Sequence, residues 1–332
     1  MRFSIPFRPL SPIVNRVFEV EDISLDEISR SAYAAAFFAT GYESRCLSLS
    51  SRLENRRVAR PIVWGFEKEV LPALRRAHDL HYLQKWGLTP TTLAHSDFEA
   101  AWSQLGEIAK DLETKAGCLH VLVDYSSMSR AWYAAILNYF RFVYSRGDVI
   151  IDFVYTPGKY SASYEDELRT SVISKIVSLP GLEGLSGTRE SSIAAFGLGF
   201  SPAAALGVLE RLQPQLIFSF LASPAVKDHY SRTCKEVNKR LVESSSFSLL
   251  LPLFSVSTSY RRLCEAIIPF LPNQQVTFIP MGPKPHVLAS MLVAAKFRQA
   301  GCMYAQLSRR DVSDIEEESD PFGVRVVLSQ SK

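Results

Sequence analysis

Two short stretches of this chain place charge and hydroxyls where sheet proteins hold their ligands. The first, Asp124-Tyr125-Ser126-Ser127-Met128-Ser129-Arg130, follows the apolar run His120–Val123. Its serine hydroxyls and Arg130, at the start of a helix, fit phosphate or ribose binding. Asp124 either serves a sugar or acid–base chemistry, or takes backbone N–H bonds in its own turn while Ser126 or Ser127 caps the helix. The second stretch, Pro280-Met281-Gly282-Pro283-Lys284-Pro285-His286, follows Val276–Ile279. Lys284 at a helix N-terminus has the wrong sign for the helix dipole, and a bound anion would offset that cost. Gly282 allows close backbone approach. His286 is either a second polar group of the same grip or a helix-surface histidine.

Three further turns have comparable chemistry. Gly41-Tyr42-Glu43-Ser44-Arg45 offers a glycine, an aromatic ring for a base, and a cation for phosphate. The plain alternative is a solvated Glu43–Arg45 pair beside a turn glycine. Gly199-Phe200-Ser201-Pro202 carries no charge, and its Ser-Pro reads as cap and first helical turn. Thr156-Pro157-Gly158-Lys159-Tyr160 adds Lys159 and an aromatic after the run Val149–Tyr155.

Other chemistries lack a signature. The chain has no Walker loop, no GxGxxG, no GxSxG and no HExxH. Its histidines make no metal-ligand spacing, and its five cysteines are scattered without a CxxC pair. The expectation is no metal and no cofactor, with thiols in a cytoplasmic protein.

The elements that position these turns occur twice. Gly41-Tyr42 and Gly199-Phe200 each stand between an apolar strand and a helical run, 158 positions apart. Asp124–Arg130 and Pro280–His286 each join an apolar strand to a long apolar helix, 156 positions apart. Two pairs at nearly one offset indicate an internal duplication. Strands such as Arg60–Phe66 and Gln215–Ser223 alternate with helices. Phe98, Trp102, Leu105, Ile108, Ala109 and Leu112 mark one helical face, which Gly117 ends. A second helix is expected from Pro224, capped by Ser223. Alternating elements with apolar strands predict an α/β fold of two tandem Rossmann-like halves, each a parallel sheet with helices on both faces, forming a pseudo-dimer. The divisions are an extension at 1–30, half one at 31–160, a linker at 161–192 and half two at 193–311. An acidic segment with a terminal strand at 312–332 completes the chain, and its acidic run is expected to be solvated surface.

The bulk composition fits this reading. At 332 residues and 47% hydrophobic, the chain can build two cores. Its formal charge of +3 gives no warrant for nucleic acid as a partner. No apolar run reaches a membrane span, and prolines interrupt the apolar content of the N-terminus.

The paired strand–turn–helix units resemble the CRISPR-associated Rossmann-fold (CARF) sensor domains and related bacterial defence proteins. In that family a strand leads into a Gly-Gly-Thr-Lys-like turn that opens a helix and contacts a cyclic nucleotide. Gly282 and Lys284 match this turn, and Tyr304 falls on the next strand. The Asp124–Arg130 turn would be the diverged copy. Here Gly-Pro replaces Gly-Gly-Thr, and half one has no lysine in its turn. The resemblance implies a sensing component for a nucleotide-like anionic ligand in antiviral defence, acting through a separate effector protein. It also leaves open a nucleotide-processing enzyme of phosphodiesterase or hydrolase type, or a scaffold with vestigial pockets. The expected ligand-binding residues are Gly41, Tyr42, Glu43, Arg45, Asp124, Ser126, Ser127, Arg130, Lys159, Gly282, Lys284 and His286.

Overall fold

The computed structural model describes residues 16–68, 70–112, 117–184, 192–271, 273–308 and 313–330. The chain begins with β1 (Arg16–Ile23), α1 (Leu25–Arg30), β2 (Ala35–Thr40), α2 (Ser48–Arg52), β3 (Pro61–Phe66) and α3 (Pro72–Trp86). Next come β4 (Thr91–Leu93), α4 (Phe98–Lys110), β5 (Cys118–Asp124), α5 (Arg130–Phe142) and β6 (Asp148–Tyr155). The linker supplies α6 (Ala162–Thr170) and β7 (Ile173–Ser178). Half two runs β8 (Ser192–Gly197), α7 (Pro202–Leu212), β9 (Leu216–Ala222), α8 (Asp228–Val237), α9 (Lys239–Ser244) and β10 (Phe247–Leu251). It continues with α10 (Val256–Ile267), β11 (Gln275–Pro280), α11 (Lys284–Lys296) and β12 (Ala300–Leu307), and β13 (Phe322–Gln330) follows.

Both sheets carry the same parallel order. In the first it is β4-β3-β2-β5-β6, and in the second β10-β9-β8-β11-β12. Each is third-second-first-fourth-fifth in its own half, the doubly wound order whose switch point lies between the first and fourth strands. The tandem Rossmann-like halves expected from the repeat are therefore present. The paired turns follow β2 and β5 in one half, β8 and β11 in the other. All four stand at the carboxyl edge of a switch point.

Continuous apolar strands need cover on both faces. Every residue of β2 is buried. The helices after the fourth strands are buried almost throughout, Ala131–Phe140 in α5 and Pro285–Ala295 in α11. A helix apolar on all sides needs protein all around it. Here one apolar cluster runs from Ala35 and Val123 in half one through both helices to Val276 and Phe278 in half two. The halves thus share a core. Polar contacts reinforce it. Asp22 of β1 accepts hydrogen bonds from Ser257 N (2.9 Å) and the Ser255 and Ser257 hydroxyls (2.6 Å each) at the start of α10. Asn138 of α5 donates to Pro180 O at 2.7 Å.

Several boundaries differ from expectation, each for a tertiary reason. The chain ends belong to half one: β13 pairs antiparallel with β6, and β1 with β13. Residues 1–30 thus contain a sheet strand, and the terminal strand does not continue half two. The linker adds β7 to the edge of the second sheet, antiparallel to β12. The helix expected from Pro224 starts only at Asp228, with Lys227 at the cap. Pro224 instead lies in a turn after a cis peptide, where its carbonyl accepts from Leu253 N. Helix α4 ends at Lys110, ahead of Gly117, whose positive φ of 76° serves the turn into β5.

The return of β13 is held by one buried ionic cluster. Asp152 of β6, fully buried, accepts from Arg325 Nε at 2.8 Å and Arg325 Nη2 at 2.9 Å. His120 Nε2 and the Tyr33 hydroxyl also donate to it, at 2.9 and 3.0 Å. Burial alone would raise the Asp152 pKa, but His120 and Arg325 hold it below the ordinary carboxylate value. Its contribution to stability is therefore present above the unfolded-state pKa and lost as pH falls through the folded one. Arg325→Ala is expected to cost about 3 kcal/mol in denaturant unfolding at pH 7, because it strips a buried carboxylate of its permanent counter-charge. The gap should narrow in acid. A loss below about 1 kcal/mol, typical of exposed pairs, would show that the pair does not hold the strand.

Candidate functional site

The turn after β2 sets the first part of the site. Its Gly41 carbonyl accepts from His78 Nδ1 at 2.8 Å, so this glycine is anchored in half one and does not line the cleft. Glu43 precedes a short 3₁₀ turn, Ser44–Leu47. Arg45 in that turn is buried. It donates to Glu43 Oε2 from Nε (3.0 Å) and Nη2 (2.9 Å), to the Tyr155 hydroxyl (3.1 Å) and to Thr156 O (3.3 Å). Ser127 Oγ also donates to Glu43 Oε2, at 2.9 Å. Burial pushes the Glu43 pKa up, but Arg45 and Lys284 outweigh it and keep the carboxylate ionised. The Glu43–Arg45 pair is thus a buried network and not a solvated couple.

The turn after β5 uses its polar groups on itself. Asp124 Oδ1 accepts from Ser126 N at 3.1 Å and from Ser126 Oγ at 2.5 Å. Ser126 Oγ in turn accepts from Thr156 N at 2.8 Å. Ser129, and not Ser126 or Ser127, caps α5, accepting from Trp132 N. Asp124 is buried behind the cleft, where burial raises its pKa to about 6 against the Ser126 bonds, Lys284 and Arg45. Of the two readings of Asp124, its geometry is that of the turn.

Lys284 joins the two halves. It is the first residue of α11, and its ammonium crosses to half one. There it donates to Tyr125 O (3.3 Å), Ser126 O (2.7 Å) and Met128 O (2.9 Å). Three carbonyls match the three N–H bonds of an ammonium. The two turns that correspond in sequence therefore meet in space. Burial lowers the Lys284 pKa to about 7, with Glu43 pulling the other way. Its structural counterpart is Arg130, the first residue of α5. The half-two turn is shorter between strand and helix, so helix starts and strand ends do not share one offset. The Arg130 guanidinium lies over the Tyr304 ring at 4.8 Å.

These elements surround one cavity of about 210 Å³ between the halves. Glu43, Arg45, Arg130, Gly282 and Lys284 line it, so five of the expected residues converge. Gly282 is required there: a Cβ would lie 2.5 Å from Leu198 O, while one on Gly199 would lie 2.6 Å from Met281 O. The two turns of half two are thus pressed backbone to backbone. Tyr42, Asp124, Ser126 and Ser127 are not on the cavity wall. Lys159 points to solvent, with Glu316 at 3.7 Å.

His286 is a correction. It is buried in the core of half two, near the Phe220 ring, with Nε2 donating to Pro252 O at 3.3 Å. Nδ1 has no partner among the described residues, and burial lowers the pKa to about 4. It is a neutral core histidine: on a helix with no solvent face, position gives no exposure.

The aromatic residues that do line the cavity escaped the list of expected site residues. Tyr155, Tyr160, Tyr164, Phe200 and Tyr230 also line the cavity, as does Ser201. Tyr160 and Phe200 stand in strand-end turns, which is the signal that could have found them. Tyr230 and Tyr164 sit within helices and carry no such signal. The acidic segment is a correction in part: Glu316 and Asp320 are exposed as expected, while Asp314, Ile315 and Glu318 strap the same edge. Asp314 accepts from Ser44 N (2.7 Å) and Ser44 Oγ (2.5 Å). Buried Ile315 fills the space that a Cβ on Gly158 would need, and Glu318 pairs with Lys227 at 2.6 Å.

Among the described residues, no group of three or more His, Cys, Asp or Glu side chains is placed to hold a metal ion. No helix among them is long and apolar enough to cross a membrane.

Two substitutions test the electrostatics. The folded pKa of Asp124, about 6, lies above its unfolded value of 3.8. The folded state therefore binds the extra proton, and stability falls as pH rises from about 4 to 6. Asp124→Asn should stabilise the chain at pH 8 by up to about 3 kcal/mol and be neutral near pH 4, read from paired denaturant curves. A loss at pH 8 would contradict this. Lys284→Met leaves buried carbonyls unpaired and should cost about 2–4 kcal/mol at pH 6. An unchanged midpoint would show that the cradle does not bind the halves together. No protein-family model matches this chain, and no curated protein matches it either.

Proposed function

We propose that the chain binds a small anionic ligand of the nucleotide or phosphate class in the cleft between its halves. The observation that carries this reading is convergence. The carboxyl edges of two switch points, where doubly wound sheets hold ligands, open onto one cavity containing Arg45, Arg130 and Lys284. Aromatic rings on the same wall supply the flat apolar surface that a base would need. The wider role rests on the resemblance to CARF-like domains: a cytoplasmic sensing component of bacterial antiviral defence, passing its signal to a separate effector protein. Among the described residues the wall provides binding groups and no hydrogen-bonded nucleophile–base pair, which favours a binder over a nucleotide-processing enzyme.

Thermal shift of the purified chain against nucleotides, cyclic oligonucleotides and inorganic phosphate tests the reading. A ligand at 100 times its Kd should stabilise the fold by about 2.7 kcal/mol, seen as a raised Tm. Arg130→Ala should abolish the shift while leaving the Tm of the free chain within a few degrees. If no anion of the panel raises the Tm at any pH between 6 and 8, the proposal fails.

A further inference from the structure

The cleft has two chemically unlike sides, and these narrow what fits it. Four charged side chains line it: Glu43, Arg45, Arg130 and Lys284. Glu43 pairs with Arg45, which leaves Arg130 and the protonated fraction of Lys284 as unbalanced positive charge. That excess suits a phosphate monoester, which is anionic throughout the neutral pH range. Arg130 has no hydrogen bond or carboxylate partner among the described residues beyond its stacking on Tyr304, so its donor fork is available.

The other side is a ring cluster centred on Tyr160. Its ring stacks on Tyr164 at 5.3 Å with an 8° interplanar angle, and meets Tyr230 at 5.9 Å and Phe200 at 6.4 Å. Beside Phe200, Ser201 is only 5% exposed, and its hydroxyl has no partner among the described residues. The turn after β2, counterpart of the Phe200 turn, does not repeat this arrangement. It is already satisfied, since Glu43 holds Arg45 and Asp314 takes Ser44 N and Oγ. The halves share a topology, but the cleft offers only one anionic position and one flat apolar wall. At about 210 Å³ it also falls below the roughly 300–1,000 Å³ of drug-sized pockets, which disfavours a ring of several nucleotides relative to one monomer.

We infer that the ligand is a single nucleoside monophosphate, with its phosphate on Arg130 and its base against Tyr160. This rests on the anion-cleft reading above and narrows it, because a cyclic oligonucleotide presents repeated phosphates and bases to a cleft with one place for each.

Titration calorimetry of the full chain decides it. The probes are inorganic phosphate, adenosine, the common nucleoside 5′-monophosphates, a cyclic dinucleotide and a cyclic tetranucleotide. One monophosphate should bind at one per chain, more tightly than nucleoside, inorganic phosphate or either cyclic compound. Tyr160→Ala should weaken it by roughly 10–100-fold, the worth of one stacked base, and leave phosphate affinity unchanged. Tyr160→Phe, which keeps the ring, should retain binding, and the Tm of each variant reports its folding. Tightest binding by a cyclic oligonucleotide overturns this inference and leaves the anion cleft standing. Equal weakening of phosphate and nucleotide by Tyr160→Ala also overturns it. No binding by any probe overturns both.

Discussion

The ammonium of Lys284 on the carbonyls of Tyr125, Ser126 and Met128 is the contact on which the arrangement of the halves turns. A cation at a helix N-terminus opposes the dipole, and a buried one also loses its hydration. Both costs are offset only because the opposite half presents carbonyl oxygens from a turn whose chain direction reverses between β5 and α5. The contact fixes which turn faces which. Once α11 and α5 are held by their first turns, their apolar surfaces close the shared core, and the cavity is the space left between the two switch points.

The two halves reuse one topology with different turn chemistry. Each fourth-strand helix opens on a cation, Arg130 in one half and Lys284 in the other. Lys284 is committed to backbone carbonyls, whereas Arg130 rests on an aromatic face with its donors unused. Each first-strand turn lies at the cleft, yet one is a closed Glu43–Arg45–Ser127 network and the other a bare Gly199-Phe200-Ser201. A symmetric fold has thus become an asymmetric site through side chains alone, without any change in strand order.

The ends of the chain complete half one. Strand β13 crosses back from the second sheet to pair with β6, and Arg325 on it neutralises Asp152 directly opposite. On the way, the strap through Asp314 and Ile315 closes the edge of the cleft against Ser44, Arg45 and Gly158. These acidic residues read as surface along the sequence. In the structure Asp314 satisfies backbone and hydroxyl donors of the Ser44 turn.

Much of the fold was legible because periodicity and punctuation are local. Apolar runs such as Val149–Tyr155 and Val276–Ile279, bounded by turn residues, read as strands covered on both faces, and the near-constant offset of the paired turns declared two equivalent halves. Those turns also announced Glu43, Arg45, Arg130, Gly282 and Lys284 as cleft residues, since strand ends in parallel sheets share one edge. What a side chain does at that edge was decided in three dimensions. Asp124 and Ser126 face each other and not the cleft. His286 lies on a helix with no free side, so burial makes it a neutral core residue. Tyr230 reaches the cavity from a helix that carries no turn signal, and the pairing of β13 with β6 joins segments that lie far apart along the chain. Local chemistry determined which elements form; only the packing of one half against the other decided which polar groups are spent on structure and which remain open.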